Sequence, residues 1–190
     1  MRLCSIASGS SGNCIYIGSD STHILVDVGI SGKRTEAGLK ELELSRRDID
    51  GIFITHEHTD HIAGLGVLSR KYEVPIYATR GRREASQKTA SGGKLREDRF
   101  HTVFPGEKLM IKDICCNPMR ISHDAADPVA YRFAHGRKKA AIVTDLGNYN
   151  DYTVESLKGM DALLLEANHD INMLQVGPYP YYLKQRKLGD

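Results

Sequence analysis

Residues 55–64 read THEHTDHIAG, which sets His56, His58, Asp60 and His61 within six positions, directly after the apolar, β-branched run GIFIT. GIFIT reads as a buried strand, so the polar run begins where a strand ends. On extended backbone His56 and His58 share a face, because side chains two apart point the same way. Asp60 and His61 stand where a helix would start and turn toward a different point. That geometry suits two metal ions better than one, since a protein-held zinc takes four ligands and a catalytic one keeps a position open. Chance accounts for a lone histidine in a loop. It does not account for H-x-H-x-D-H at a strand end.

Such a set needs partners from other strand ends. MRISHDAADP places His123 directly after an alternating segment, with Asp124 and Asp127 close behind. AAIVTDLGN places Asp145 after an apolar run. A strand apolar on both faces is a central one, which makes Asp145 the better candidate for a carboxylate bridging two metals. In isolation Asp145 would pass for a turn aspartate before Gly147. Asp27, in ILVDVG, is expected to accept a hydrogen bond from a ligating imidazole and so orient it.

The rest of the chain supplies strands and helices around these points. CIYIG and HILVDVG flank a Ser-Asp-Ser-Thr turn and predict an antiparallel hairpin. SGKRTEAGLKELEL predicts a helix with Ser31 as N-cap. A second helical pattern runs from about Ile62 to Tyr72, followed by the strand PIYAT and a basic, helical stretch GRREASQKTA. Phe100 to His123 is mostly extended, VAYRFAH and KAAIVTD flank a turn at Gly136-Arg137-Lys138, and a helix around Tyr152 to Lys158 leads to the strand DALLLEA. Two β-rich meanders, each joined to helices, imply two sheets packed face to face with helices outside. The 190 residues, 41% apolar, make one domain across 1–190.

Charge and cysteine content narrow the surroundings. A formal charge of +2 is too small for a polycation, so affinity for nucleic acid must come from local patches. Three basic clusters are available: Arg80, Arg82, Arg83 and Lys88; Arg137 to Lys139; and Lys184 to Lys187. Each is ordinarily a solvated face, but two of them flanking a cleft would attract phosphates. The N-terminus has no apolar run fit for a signal peptide, and no stretch approaches the roughly 20 apolar residues of a membrane span. Cys4, Cys14, Cys115 and Cys116 contain no C-x-x-C, and read as reduced thiols of a cytoplasmic protein.

SGSSGN, THEHTDHIAGLGVLSRKYEVPIYAT, SHDAADPVAY, VTDLG, LLLEANHD and GPYPYYLKQR together resemble the WalJ (YycJ) family, bacterial 5′-to-3′ DNA exonucleases of the metallo-β-lactamase fold. The resemblance implies an α/β (α+β) architecture, the four-layer αββα sandwich. It implies that His56, His58 and His123 hold one divalent metal, that Asp60 and His61 hold another, and that Asp145 bridges them. The family's last ligand is a histidine in a Gly-His-Leu-Ser-Asn segment after the tyrosine-rich stretch, whereas this sequence ends at Asp190. The expectation is therefore a domain lacking its C-terminal portion, with the second site weak or empty.

The expected chemistry is hydrolysis. Metal binding brings the pKa of water from about 15.7 toward 7, which yields a hydroxide nucleophile at neutral pH. Asp60 can orient or deprotonate that water as well as ligate. An all-nitrogen and oxygen ligand set admits Zn²⁺, Mn²⁺ and Fe²⁺. Ser8, Ser10, Ser11 and Asn13 offer donors on a Gly-rich turn; the turn is either a plain connection or a phosphate nest, and the resemblance favours a substrate-binding loop. His169 is expected to touch substrate, and Glu166 to hydrogen-bond a ligating imidazole. The substrate implied is nucleic acid, DNA over RNA, with no membrane. The rivals are a small-molecule thioester or lactam hydrolase on the same fold, and a catalytically weak nucleic-acid-binding or regulatory module.

Overall fold

Two β-sheets lie face to face with a layer of helix on each outer side. The computed structural model describes residues 1–81 and 97–166, together with 178, 180, 181 and 184. The first sheet has the order β1 (Arg2–Ala7), β2 (Cys14–Gly18), β3 (His23–Val26), β4 (Gly51–Phe53), β5 (Ile76–Ala78) and β6 (Phe100–Thr102). Its first three strands are antiparallel and β3 to β6 run parallel. The second sheet follows β7 (Leu109–Ile111), β8 (Ile114–Arg120), β9 (Val129–His135), β10 (Lys138–Val143) and β11 (Ala162–Leu165), in spatial order β11-β10-β9-β8-β7.

Alternation along buried strands builds the layers. In β2, Ile15 and Ile17 point between the sheets, while Cys14 and Tyr16 point to the helical side. In β10, Ala140 and Ile142 face the inter-sheet core, whereas Ala141 and Val143 face outward. A strand buried on both faces must be apolar throughout, which is why CIYIG and AAIV lack polar alternation. The expected β2–β3 hairpin forms with Ile15 paired to Val26 and Gly18 to His23. Between the sheets, Phe53 stacks on Tyr77 at 4.5 Å and meets the edges of Tyr131 and Phe133. The Tyr131 hydroxyl donates to the carbonyl of Ile54 (2.8 Å), so the largest polar tip in this layer is satisfied across the sheets.

Helices α1 (Gly32–Glu41) and α3 (Leu65–Tyr72) cover the first sheet through Leu39, Leu65 and Leu68. Ser31 caps α1 by accepting from the Arg34 amide, as its position predicts. A short helix α2 (Thr59–Ile62) precedes α3, and α4 (Asp151–Leu157) covers the second sheet beside Leu146 and Met160. The strand Arg2–Ala7 is an addition that the sequence pattern did not show. Its residues are at most half-buried, so no alternation marks it.

The strand directions decide where the chemistry falls. β3 and β4 are parallel, and β8 and β10 are parallel through their shared antiparallel neighbour β9. All four therefore end at one edge of the sandwich, where Asp27, His56, His123 and Asp145 follow in the chain.

Candidate metal centre

His56 and His61 are wholly buried, and His58 and His123 are part-buried beside them. The rings pack at centroid distances of 3.9 Å (His56–His61), 4.6 Å (His56–His58 and His56–His123) and 5.0 Å (His58–His123). Two groups of three present one donor atom each within 4.8 Å of one another: His56, His58 and His123, and His56, His61 and Asp145.

Local structure explains this convergence. His58 is the N-cap of α2 with extended backbone, so the chain leaves the strand and enters a helix between His58 and His61. That turn rests on the segment after β3. Val28 N–H donates to His61 O (2.8 Å), Asn13 N–H to Asp60 O (2.7 Å) and Gly64 N–H to Val28 O (2.8 Å). His123 comes from the loop beyond β8, and Asp145 from the loop beyond β10. The loops are joined by a bridge between Ser122 and Asn148, with Gly147 N–H donating to Ser122 O (2.8 Å). Asp27 and Asp145 both take left-handed backbone, at φ 58° and 53°. Aspartate tolerates that region better than branched residues, which suits a carboxylate turned sharply off a strand end.

Hydrogen bonding sets which ring nitrogens face the cluster. Asp27 Oδ1 accepts from Thr55 N–H (2.8 Å) and Oδ2 from the Thr55 hydroxyl (2.6 Å). Asp27 Oδ2 also lies 2.7 Å from His61 Nδ1, which must carry the proton between them. With its own hydrogen committed to Asp27, the Thr55 oxygen accepts from His56 Nδ1–H at 3.1 Å. Both rings then present Nε2 inward, as ligating imidazoles held by a carboxylate do. His61 Nε2 stands 2.9 Å from Asp145 Oδ2, 3.6 Å from Asp60 Oδ2 and 3.0 Å from Asn13 Nδ2.

The charges are unusual. Burial favours a neutral His61, but Asp27 and then Asp145 outweigh it and push the ring up to about 10. Burial would raise the Asp145 carboxyl, yet its hydrogen bond with His61 holds it below the ordinary value. His123 moves the other way: burial depresses it, with Asp145 only partly opposing. The environment favours positive charge at His61 Nε2, whether as a proton or as a metal ion.

The donor set fits a divalent cation. Tetrahedral coordination with bonds of 2.0–2.1 Å puts neighbouring ligand atoms about 3.3 Å apart. Here His58 Nδ1 and His123 Nε2 are 3.2 Å apart, and Asp145 Oδ2 lies 2.9 Å from His61 Nε2 and 3.9 Å from His56 Nε2. Asp145 thus stands between histidines of both expected sites.

The metallo-beta-lactamase superfamily profile matches residues 7–166. Over 97% of the chain, an exodeoxyribonuclease YycJ of Bacillus anthracis is 43% identical and an exodeoxyribonuclease WalJ of Streptococcus pneumoniae 40% identical, the chain spanning 69% of each. The chain belongs to the metallo-beta-lactamase superfamily, in its WalJ/YycJ branch. Membership in this superfamily carries divalent-metal binding with it. A B3 metallo-beta-lactamase with an active-site glutamic acid superimposes on this metallo-beta-lactamase fold with a TM-score of 0.60 at 18% identity. That match covers 74% of this chain and 57% of the lactamase, so the chain spans just over half the length of that enzyme.

The fold gives several of the sequence-predicted residues specific partners. Glu166 accepts the backbone N–H of Asp145 (2.6 Å), so it positions the carboxylate's backbone, a contact that spacing did not suggest. Asn13 is buried; its side chain lies against His61 and accepts from Gly9 N–H (3.0 Å). Ser10 and Ser11 are exposed on the preceding turn. Arg137 to Lys139 sit at the opposite end of β10 from Asp145, roughly 20 Å away at about 3.3 Å per residue, and do not flank the centre. His169, Arg82, Arg83 and Lys88 lie outside the described residues, as do Arg186 and Lys187. Among the described residues no helix is long and apolar enough to cross a membrane.

Proposed function

We propose that this chain hydrolyses DNA phosphodiesters as a metal-dependent exonuclease proceeding 5′ to 3′. One observation carries the reading: four imidazoles and Asp145 converge at a single sandwich edge in a chain 43% identical to an exodeoxyribonuclease. His56, His58 and His123 would hold one ion and His61 and Asp60 another, with Asp145 between them. Zn²⁺ or Mn²⁺ is the expected metal, and Fe²⁺ also suits the donors. Bound there, divalent ions supply Lewis acidity toward a phosphoryl oxygen and acidify water. The protein's own part is orientation and proton handling. Asp27 and Thr55 would fix the ring tautomers, and the Asp60 side chain, one-third exposed and 3.6 Å from His61 Nε2, would orient or take a proton from the attacking water. Ser10 and Ser11 are proposed to meet the substrate from the adjoining turn, with Asn13 holding it against His61. Four free cysteines agree with a cytoplasmic setting.

The test is turnover of 5′-phosphorylated DNA and RNA by the wild type, His56→Ala and Asp145→Asn with Mn²⁺ or Zn²⁺. Each variant should lose more than about 100-fold, the upper end for residues merely supporting a ligand. Full turnover in either variant would remove the assignment, and faster RNA than DNA hydrolysis would change the substrate. Affinity for DNA should fall as salt rises; a flat response points to a small-molecule substrate.

A further inference from the structure

Glu57 sits between His56 and His58, and alternation sends its side chain away from theirs. On that side its Oε1 accepts the backbone N–H of Ala126 at 2.9 Å, across 69 residues of sequence. Ala126 belongs to the loop that carries His123. Among the described residues the tip of this loop pairs with no strand. Ala125 N–H closes a tight turn onto His123 O (2.9 Å), which couples the backbone of the tip to His123. Its other side borders a cleft of about 490 Å³, with Gly81, Arg120 and Pro128 on the margin. Among the described residues the loop is also tied by the Thr79 hydroxyl to Asp127 O (3.1 Å), Arg120 Nη1 to Asp127 Oδ1 (2.9 Å), Ile121 N–H to Pro128 O (3.2 Å) and Val129 N–H to Thr55 O (3.1 Å), all toward its base.

We infer that Glu57 is a positioning residue that holds His123 in register with His56 and His58. The peptide units on either side of Glu57 carry those two ligands. A hydrogen bond from Glu57 to the loop tip therefore references the third imidazole directly to the first two. Toward Ala126 the carboxylate acts as an acceptor for one backbone N–H, so an amide of the same length keeps that contact. Without the acceptor the loop tip loses its hydrogen bond to the His56–His58 segment, and the 3.2 Å spacing of His58 Nδ1 and His123 Nε2 loses that constraint. This role rests on the three histidines being a metal site.

The experiment compares Glu57→Ala, Glu57→Met and Glu57→Gln in the whole chain, by Zn²⁺ competition against a chelating dye and by the visible spectrum of bound Co²⁺. Melting of the chelator-treated proteins is measured alongside. Glu57→Ala should lose about 10- to 100-fold in metal affinity, the range for partners that orient a ligand, and should alter the Co²⁺ bands. Glu57→Met keeps the length without the carboxyl acceptor and should lose as much, which preserves the test should the alanine variant not fold. Glu57→Gln should stay within a few-fold of wild type. Two outcomes overturn the inference: metal affinity unchanged in the Ala and Met variants, whatever their melting, or Gln falling as far as they do, which would assign the effect to charge. A wild-type chain that binds neither ion would instead remove the metal centre itself.

Discussion

Asp27 Oδ2 and His61 Nδ1 stand 2.7 Å apart with both side chains fully buried, and the same carboxylate controls His56 through the Thr55 hydroxyl. One acid thus sets the tautomer of two rings assigned to different metals. Asp27→Asn keeps a residue tolerant of φ 58° but replaces one carboxylate oxygen by a donor, so at least one of the three incoming hydrogen bonds breaks. Metal affinity should fall about 10- to 100-fold, read by dye competition. Thr55→Val, which preserves shape, should release His56 while leaving the Asp27–His61 contact in place. Its loss should be of similar size. Metal affinity equal to wild type in both variants would show that ring orientation is set elsewhere.

Gly29 provides a second test. A Cβ built there would lie 1.6 Å from the Asp60 carbonyl oxygen and 2.8 Å from the His61 nitrogen. The clash is with backbone, which no rotamer change relieves. Gly29→Ala must lift the ligand-bearing turn off the segment after β3, and should abolish tight metal binding with a marked fall in melting temperature. Gly32→Ala is the control: its Cβ would meet only Val67, nearest at 3.3 Å, in the first turn of α1. Equal behaviour of the two variants would mean that the docking of β3's extension does not position the ligands.

These two positions also show what the sequence could and could not reveal. The clustered histidines and aspartates are legible because metal chemistry restricts candidate ligands to a few side chains, and strand ends mark where they can converge. His123 and Asp145 follow β8 and β10 as their apolar patterns predict. The supporting residues were hidden because their partners are remote. Glu57 and Ala126 are 69 residues apart, and Gly29 matters only through the Asp60 carbonyl it touches. The family resemblance suggests a substrate role for Asn13; its contact with His61, 48 residues away, leaves no mark in the sequence. Arg2–Ala7 is not legible because this edge strand packs Leu3 on one core and Cys4, Ile6 and Ala7 on the other only part-buried, which leaves no two-residue period to read.

Cysteine reactivity should divide along burial. Burial pushes the Cys14 thiol up to about 12, with Asp27 adding to it, and burial pushes Cys116 well above its ordinary value. Cys4 and Cys115 are part-exposed. Since the thiolate is the reactive form, native protein treated with iodoacetamide at pH 8 should be modified at Cys4 and Cys115 and spared at Cys14 and Cys116. Peptide mass mapping reads the pattern directly. Rapid labelling of Cys116 would mean that the space between the sheets opens far more often than its packing suggests.

The end of the sandwich opposite the metal centre carries a pH-dependent tie between the sheets. Asp113, in the β7–β8 turn, accepts from the Thr22 and Ser19 hydroxyls of the β2–β3 turn, and His135 Nε2 lies 3.1 Å from its Oδ2. The Thr22 hydrogen bond above all, then that of Ser19, holds the Asp113 carboxyl well below its ordinary value. A carboxyl depressed in the folded state adds stability above its unfolded value, about 3.9. That contribution is lost as pH falls from there toward the folded value. Asp113→Asn removes the titrating group. In chelator-treated protein, the urea midpoint of wild type should exceed that of the variant at pH 6, and the gap should narrow steadily as pH falls below about 4, where the unfolded chain takes up a proton that the folded carboxyl resists. Comparing the two proteins at each pH cancels the titration of the histidine cluster, which both share. A gap that is unchanged at pH 2.5 would show that the hydroxyls stabilise this corner through shape rather than through the carboxylate's charge.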